Sequence, residues 1–231
     1  MLFFVTLYTI MQWRHLHGWD VTSTEAERIQ SSLACHISRI SNRPPRPMPT
    51  TIAGAVIANH TATVAVVQAL SWQITEAHSI KLPDAETKKL EYRRGLMAFT
   101  YGPFLLRAFE KLRSPVDLAM FRAHGIAHPR RCGMAAHLGL LLGVPSIGCA
   151  KKLLLGTHNC PPVVRGEWTS VKDGKETIAA CLMTRSGANP IFVSPGFDLS
   201  LQEAIQTTLL CTEDHPFPIP LRQAKLVAQG G

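Results

Sequence analysis

The order of its apolar runs is what most limits the fold of this chain. Three β-like stretches follow one another: TIAGAVIA (Thr51–Ala58), TATVAVVQAL (residues 61–70) and SWQITEAHSI (residues 71–80). Asn59-His60 forms a tight-turn pair between the first two. Farther on, helical and strand periodicities alternate. Pro103 suits the first turn of a helix carrying Phe104, Leu105, Ala108, Phe109 and Leu112. An apolar strand over residues 116–121 follows, then a helix near Met134–Leu142 that stops at Gly143. VPSIGCA (residues 144–150) is another buried strand. Asp173-Gly174 marks a hairpin between residues 168–171 and 177–183, and IFVSPG (residues 191–196) is a further strand. Ser200 and Glu203 open a last helix that runs to about Leu210, and the tail is proline-rich, then polar. A meander followed by alternating elements predicts an α/β fold, a mixed sheet flanked by helices.

The segments before the meander are distinct. Thr22 and Glu25 have capping-box spacing, and Ile29, Leu33, Ile37 and Ile40 recur at helical spacing behind them. SNRPPRPMP (residues 41–49) reads as an extended linker, and KLPDAETKKLEYRRG (residues 81–95) as irregular. The apolar start, MLFFVTLYTIMQW, has no basic lead or small-residue cleavage site and is too short to span a bilayer. It reads as a packed strand or as residues upstream of the true start. The expected organisation is an N-terminal extension over residues 1–18 and one domain over residues 19–231.

At 231 residues with nearly half of them hydrophobic, the chain has material for a full core. Its 24 Lys+Arg against 16 Asp+Glu leave a net charge of +8, which favours a polyanionic partner such as DNA or RNA. The six cysteines form no CxxC pair, so composition argues against a zinc site and for free thiols in a reducing, cytoplasmic compartment. The expected state is a monomer without membrane association.

The stretch FRAHGIAHPRRCGMAAHLG (residues 121–139) follows a buried strand and holds three histidines, three arginines and three glycines, without a carboxylate. Arginine forks and glycine amides suit phosphate oxygens, which makes His124, His128, Arg130 and Arg131 candidate contacts. The plain alternative is a solvated basic loop. As a zinc site it lacks a third ligand of obvious spacing. Lys151-Lys152 follows a strand end, where functional groups gather in open α/β sheets. Tyr92-Arg93-Arg94-Gly95 sets an aromatic ring beside cations, a pairing that can stack on or wedge between bases.

Together these segments resemble the endonuclease V family, whose members nick nucleic acid near deaminated adenine (inosine). HGIAHPRRCGMAAHLGLLLGVPSIGCAKKLLLG resembles the family's DGHGxxHPRRxGxAxHxGxxxxxPxIGxAKxxLxG; IAGAVIA resembles IAGxDxx, and EYRRGLMAFTY resembles PYxPGxLxFRE. The pattern continues through TRSGANPIFVSPGFDLSLQEAI and PIPLRQA, covering residues 19–225. The resemblance implies a ribonuclease H-like fold and Mg-dependent phosphodiester hydrolysis with carboxylates holding the metal. It also implies nucleic-acid contacts at Tyr92, Gly95, His124, Gly125, His128, Arg130, Arg131, Lys151 and Lys152. The glycines and histidine would line a pocket for a flipped hypoxanthine base. Ala123 replaces a glycine of that pocket.

The family's metal-ligand positions fall on Val56, Tyr101, Arg122 and Lys225, none of them an acid. The other acids stand elsewhere in the pattern, with Asp117 at the wrong end of its strand and Asp198 in a turn. The expectation is a nucleic-acid-binding member of a DNA-repair family with no metal site and with impaired or lost nuclease activity; either Arg122 and Lys225 take phosphate oxygens in the metal's place, or the site has simply decayed. Two alternatives stand beside it: a working deoxyinosine 3′-endonuclease with displaced ligands such as Asp198 or Glu91, and a protein-interaction module on the same fold.

Overall fold

The computed structural model describes residues 11–37, 44, 46–82 and 94–230. The apolar start up to residue 10, Ile40, residues 41–43 and 45 of the linker and the segment bearing Tyr92 lie outside the described residues.

Helix α1 (Ser23–Ile37) starts as its cap predicts, with the Glu25 amide donating to Thr22 Oγ1 at 3.2 Å. It buries Ala26, Gln30, Leu33 and Ile37. Strands β1 (Thr51–Ala58), β2 (Thr61–Gln68) and β3 (Ile74–Lys81) form the antiparallel meander. Asn59 and His60 take φ of 47° and 54° at the first turn, the left-handed pair that a tight hairpin requires. β3 starts later than the sequence pattern predicts, because Leu70 and Trp72 (φ 70° and 55°) make the second turn.

Helix α2 (Met97–Glu110) starts upstream of Pro103, which lies inside it, a correction to the expected N-terminus. Burial explains the difference. Ala98, Phe99 and Gly102 pack inward, and a Cβ on Gly102 would stand 3.1 Å from the Trp19 ring. That packing outweighs the amide hydrogen bond that proline forgoes. Next come β4 (Leu118–Phe121), the wholly buried α3 (Met134–Leu142) ending at left-handed Gly143, and β5 (Ser146–Ala150). Strands β6 (Trp168–Asp173) and β7 (Glu176–Leu182) form the predicted hairpin, followed by β8 (Ile191–Pro195) and α4 (Leu201–Leu210), which carries a complete Ser200/Glu203 capping box. The tail, read from the sequence only as proline-rich, then polar, is helix α5 (Ile219–Gly230). Pro220 sits in its first turn, where a missing amide costs little, and Leu221, Ala224 and Ala228 form its buried stripe.

The eight strands make one mixed sheet in the order β3-β2-β1-β4-β5-β8-β7-β6, with β1, β4 and β5 parallel. One face is covered by α2 and α3 around Phe109, Phe121 and Leu138. The other is covered by α4 and α5 around Ile52, Met120, Ile205 and Leu221. The expected mixed sheet with helices on both faces is therefore what forms. No described helix is long and apolar enough to cross a membrane.

Residues 11–19 pack across α2 and α3. The Arg14 amide donates to Leu141 O at 2.8 Å, and Trp19 stacks on His137 with ring centroids 5.6 Å apart. His17 Nδ1 donates to the Gly18 carbonyl, so its bare Nε2 accepts the proton of His137 Nε2 at 2.7 Å. His137 Nδ1 is left buried and without a partner. Burial, and then the nearby His17 and His128, push the His137 pKa down to about 3. A histidine held neutral in the fold contributes stability that is fully present above its ordinary pKa of 6.5 and lost as pH falls below it. His137 alone should therefore cost about 2 kcal/mol between pH 7 and pH 5. Urea unfolding at the two pH values reads this loss, and a His137→Leu variant should show a smaller one.

Candidate nucleic-acid interface

The centre of the sheet sets the site. β1 and β4 run parallel with Ala55 opposite Phe121, and the Arg122 amide donates to the Ala55 carbonyl at 3.1 Å. Val56 and Arg122 therefore stand side by side at the carboxyl ends of two central strands, where α/β sheets place their ligands. Val56 is fully buried among Met120, Leu221 and Ala224, under helix α5. The Arg122 guanidinium lies 5.8 Å above the ring of Phe217. Lys225 is exposed on α5, and Tyr101 is half-buried against the core on the other face.

Beside Arg122 opens a cavity of about 300 Å³. Gly95, Met97 and Ala98 form one wall, residues 122–124 with His128, Gly133 and Met134 another, and Ala150, Lys151, Lys152 and Leu154 the third. His124 Nε2 donates to the Lys152 carbonyl at 2.9 Å. Its pKa is lowered chiefly by burial, with the Arg94 charge adding to the effect. His128 Nε2 donates to the Gly95 carbonyl at 2.8 Å, and its Nδ1 accepts from the Arg130 amide at 3.2 Å. Both ring nitrogens are used and burial pushes the pKa down to about 4, so His128 is a neutral strut between the loop and Gly95. Lys151 and Lys152 are exposed at the rim.

Gly125 lies behind this wall, against β8: a Cβ there would stand 1.9 Å from the Pro195 carbonyl oxygen. Its amide donates to Ser194 Oγ at 2.8 Å. The two arginines that follow do not line the cavity. Arg130 Nε donates to Gln30 Oε1 at 2.7 Å and its guanidinium pairs with Glu27 on α1 at 3.4 Å. Arg131, at φ 51°, is clamped by Asp173 and Glu176 of the β6–β7 hairpin at 2.7 Å each. They hold the loop in place, and Tyr92 lies outside the described residues. Of the residues the sequence pointed to, Gly95, His124, His128, Lys151 and Lys152 converge on one cavity.

Sequence reasoning missed Gln30, whose Nε2 donates to the Gly95 and Cys132 carbonyls at 3.0 Å each. Its signal was available: it is the one polar residue in the buried stripe of α1. Phe217, under Arg122, and Arg222 on α5 were missed with the helix itself.

The donor chemistry at the four family ligand positions does not fit a divalent cation. They offer two methyl groups, a phenol, a guanidinium and an ammonium, where Mg²⁺ takes oxygen ligands with carboxylates among them. Among the described residues, no three His, Cys, Asp or Glu side chains gather as a metal site. Several acids are committed elsewhere. Asp117 accepts from Thr50 and Thr51 at the far end of the sheet, and Asp198 pairs with Arg46 beyond β8, also at that end. Asp198 is thus in no position to serve the cavity, while Glu91 lies outside the described residues. All six cysteines are free thiols.

The family model for endonuclease V matches residues 31–226. This chain belongs to the endonuclease V family. The endonuclease V of Methanothrix thermoacetophila is 38% identical over 229 residues, covering 94% of this chain and 96% of that protein. That of Roseiflexus sp. (strain RS-1) is 45% identical over 140 residues, 61% of this chain and 63% of its own. Among solved structures, endonuclease V from Streptomyces avermitilis superposes with a TM-score of 0.79 at 29% identity, covering 96% of both chains. At 21% identity and a TM-score of 0.70, the Ciona intestinalis enzyme shares the fold over 89% of this chain and 95% of its own; it was crystallised with a 24mer DNA containing an inosine followed by a ribo-adenosine.

Gly125→Ala should be among the most damaging single-methyl additions to this family fold, because the new Cβ meets backbone that cannot swing aside. We expect a loss of about 3 kcal/mol in urea unfolding, with weakened oligonucleotide binding.

Proposed function

We propose that this protein binds inosine-containing nucleic acid in the cavity beside Arg122 and does not hydrolyse it by the family's metal-dependent route. The observation that carries the reading is that Val56 and Arg122 stand side by side, each just past the Ala55–Phe121 pair that joins β1 to β4. A side chain of methyl groups and a cation stand where the family pattern has two acids.

The binding chemistry follows from the residues that remain. The flexible ammonium groups of Lys151 and Lys152 at the rim attract the phosphate backbone. The cavity presents apolar Met97, Ala98 and Met134 for a base face, while neutral His124 and His128 keep their ring protons on backbone carbonyls. Ala123 narrows the cavity by one methyl where the family pattern has glycine. Arg122 meets a phosphate oxygen with a planar fork, and a guanidinium neither dissociates nor polarises an attacking water as a bound cation does. Positioning then proceeds without hydrolysis. The six free thiols suit a reducing compartment such as the cytoplasm, and we take the protein to act there as a monomer. We treat residues 19–231 as the one binding domain. The relative crystallised on inosine-containing DNA supports the choice of ligand.

The test is a gel shift of purified protein with inosine-containing and plain oligonucleotides, DNA and RNA, in EDTA, followed by magnesium in the same tubes. We expect retention of the inosine strand before and after magnesium, with no new fragment. Arg122→Gln should weaken that retention about tenfold, the effect of losing one charge-assisted hydrogen bond to phosphate. A nicked strand on magnesium addition overturns the reading.

A further inference from the structure

Positive charge also gathers around the turn that carries Phe217, next to the cavity. The His215 Nδ1 accepts from the Phe217 amide at 3.0 Å, and Thr184 Oγ1 donates to the Pro216 carbonyl at 2.6 Å, so the turn is held against the end of β7. Arg122 covers the Phe217 ring from the β4 side. The Arg222 amide donates to the Pro218 carbonyl at 3.1 Å, Arg185 follows the Thr184 that holds Pro216, and Arg122, which covers Phe217, lines one cavity with Lys151. The pKa of His215 is lowered by burial and then by the charges of Arg222, Lys151 and Arg185, in keeping with that placement. Arg222 comes from the first turns of α5, Lys151 from the end of β5 and Arg185 from the loop after β7.

None of Arg122, Lys151, Arg185 or Arg222 makes an ion pair among the described residues, in contrast to Arg130 and Arg131 a short way off. The carboxylates of the turn do not neutralise them. Glu213 accepts from Trp72 Nε1 at 2.7 Å, and Asp214 is exposed with no ion pair. Converging guanidinium groups repel one another unless an anion lies between them, and their planar forks match a phosphate's paired oxygens. Arg185 is exposed and Arg222 half-exposed, so both reach a ligand without unfolding anything.

We propose that Arg122, Lys151, Arg185 and Arg222 form a metal-independent grip for one phosphodiester of the bound strand, centred on the His215–Phe217 turn. This rests on the nucleic-acid-binding reading above and adds to it: the cations do by direct contact what a divalent ion bridging protein and phosphate would do. It follows that chelators leave binding intact, and that Arg185 and Arg222 extend the charge contact beyond the base cavity that Arg122 and Lys151 line.

The experiment is fluorescence anisotropy of a labelled single-stranded inosine oligonucleotide in EDTA, from 50 to 300 mM salt, with competing inorganic phosphate in a parallel series. Wild type is compared with Arg185→Gln, Arg222→Gln and, as a control on the far hairpin, Lys175→Gln. Each of the first two should lower the salt slope by about 0.7, the value for one single-strand phosphate contact, and weaken binding about fivefold at 100 mM salt. Lys175→Gln should match wild type, and millimolar inorganic phosphate should displace little of the strand. Wild-type binding with slopes unchanged in both arginine variants overturns the grip and leaves the nucleic-acid reading standing. Displacement of the strand by low inorganic phosphate, together with unchanged slopes, assigns the cations to free phosphate and also overturns it. No binding by wild type overturns both.

Discussion

The closeness of two backbones at Gly125 governs the geometry of the site. The loop after β4 lies so near the end of β8 and the middle of β5 that no side chain fits between them: a Cβ on Gly125 would meet the Pro195 carbonyl at 1.9 Å, and one on Gly148 would meet the Gly125 amide at 2.4 Å. In place of side chains, hydrogen bonds close the gap. Gly125 N reaches Ser194 Oγ, Ile126 N reaches the Pro195 carbonyl, and Ala135 N reaches the His124 carbonyl. These fix where β4 ends and α3 begins, and therefore where Arg122, His124 and His128 face the cavity. Arg130 and Arg131 reinforce the same loop from its far side by ion pairs to α1 and to the β6–β7 hairpin.

This scaffold is indifferent to the charge it presents. The same strand ends that hold acids in the family pattern here hold Val56 and Arg122, and the surrounding apolar packing accommodates both. Val56 completes the seam between β1 and α5, where Gly54 lets the Pro220 carbonyl come close. The guanidinium of Arg122 finds the face of Phe217. A divalent cation brought to within 4 Å of that guanidinium would meet a repulsion of at least about 4 kcal/mol per unit charge at an effective dielectric near 20. A phosphate group in the same place meets an attraction of the same order. On the proposed reading, inverting the sign of one residue exchanges the ligand the site prefers on an unchanged fold.

Much of this was legible in the sequence, and the failures share a cause. The meander, the β6–β7 hairpin and the two capped helices follow from short-range signals: periodicity, Asn-His and Asp-Gly turns, and Thr22 and Ser200 caps. The loop of residues 121–133 was recognisable because glycine, histidine and proline recur there at a specific spacing. Helix α5 was missed because its prolines mask a stripe, Leu221, Ala224 and Ala228, that only packing against β1 makes decisive. The start of α2 was missed for the same reason: Trp19, distant in sequence, draws Phe99 and Gly102 inward. Arg130 and Arg131 read as phosphate contacts by composition, and the partners that turn them inward, Glu27, Asp173 and Glu176, lie far from them along the chain. Local chemistry could be read from the sequence; the direction in which a long side chain points could not.

The central claim is that a cation of the protein occupies the place of the family's metal ion. Crystals grown with an inosine-containing oligonucleotide and manganese, measured at the manganese absorption edge, test it most directly. The account predicts a phosphate oxygen within hydrogen-bonding distance of the Arg122 guanidinium and no anomalous peak between β1 and β4. A manganese peak at the ends of those strands, coordinated by protein oxygens, would contradict it.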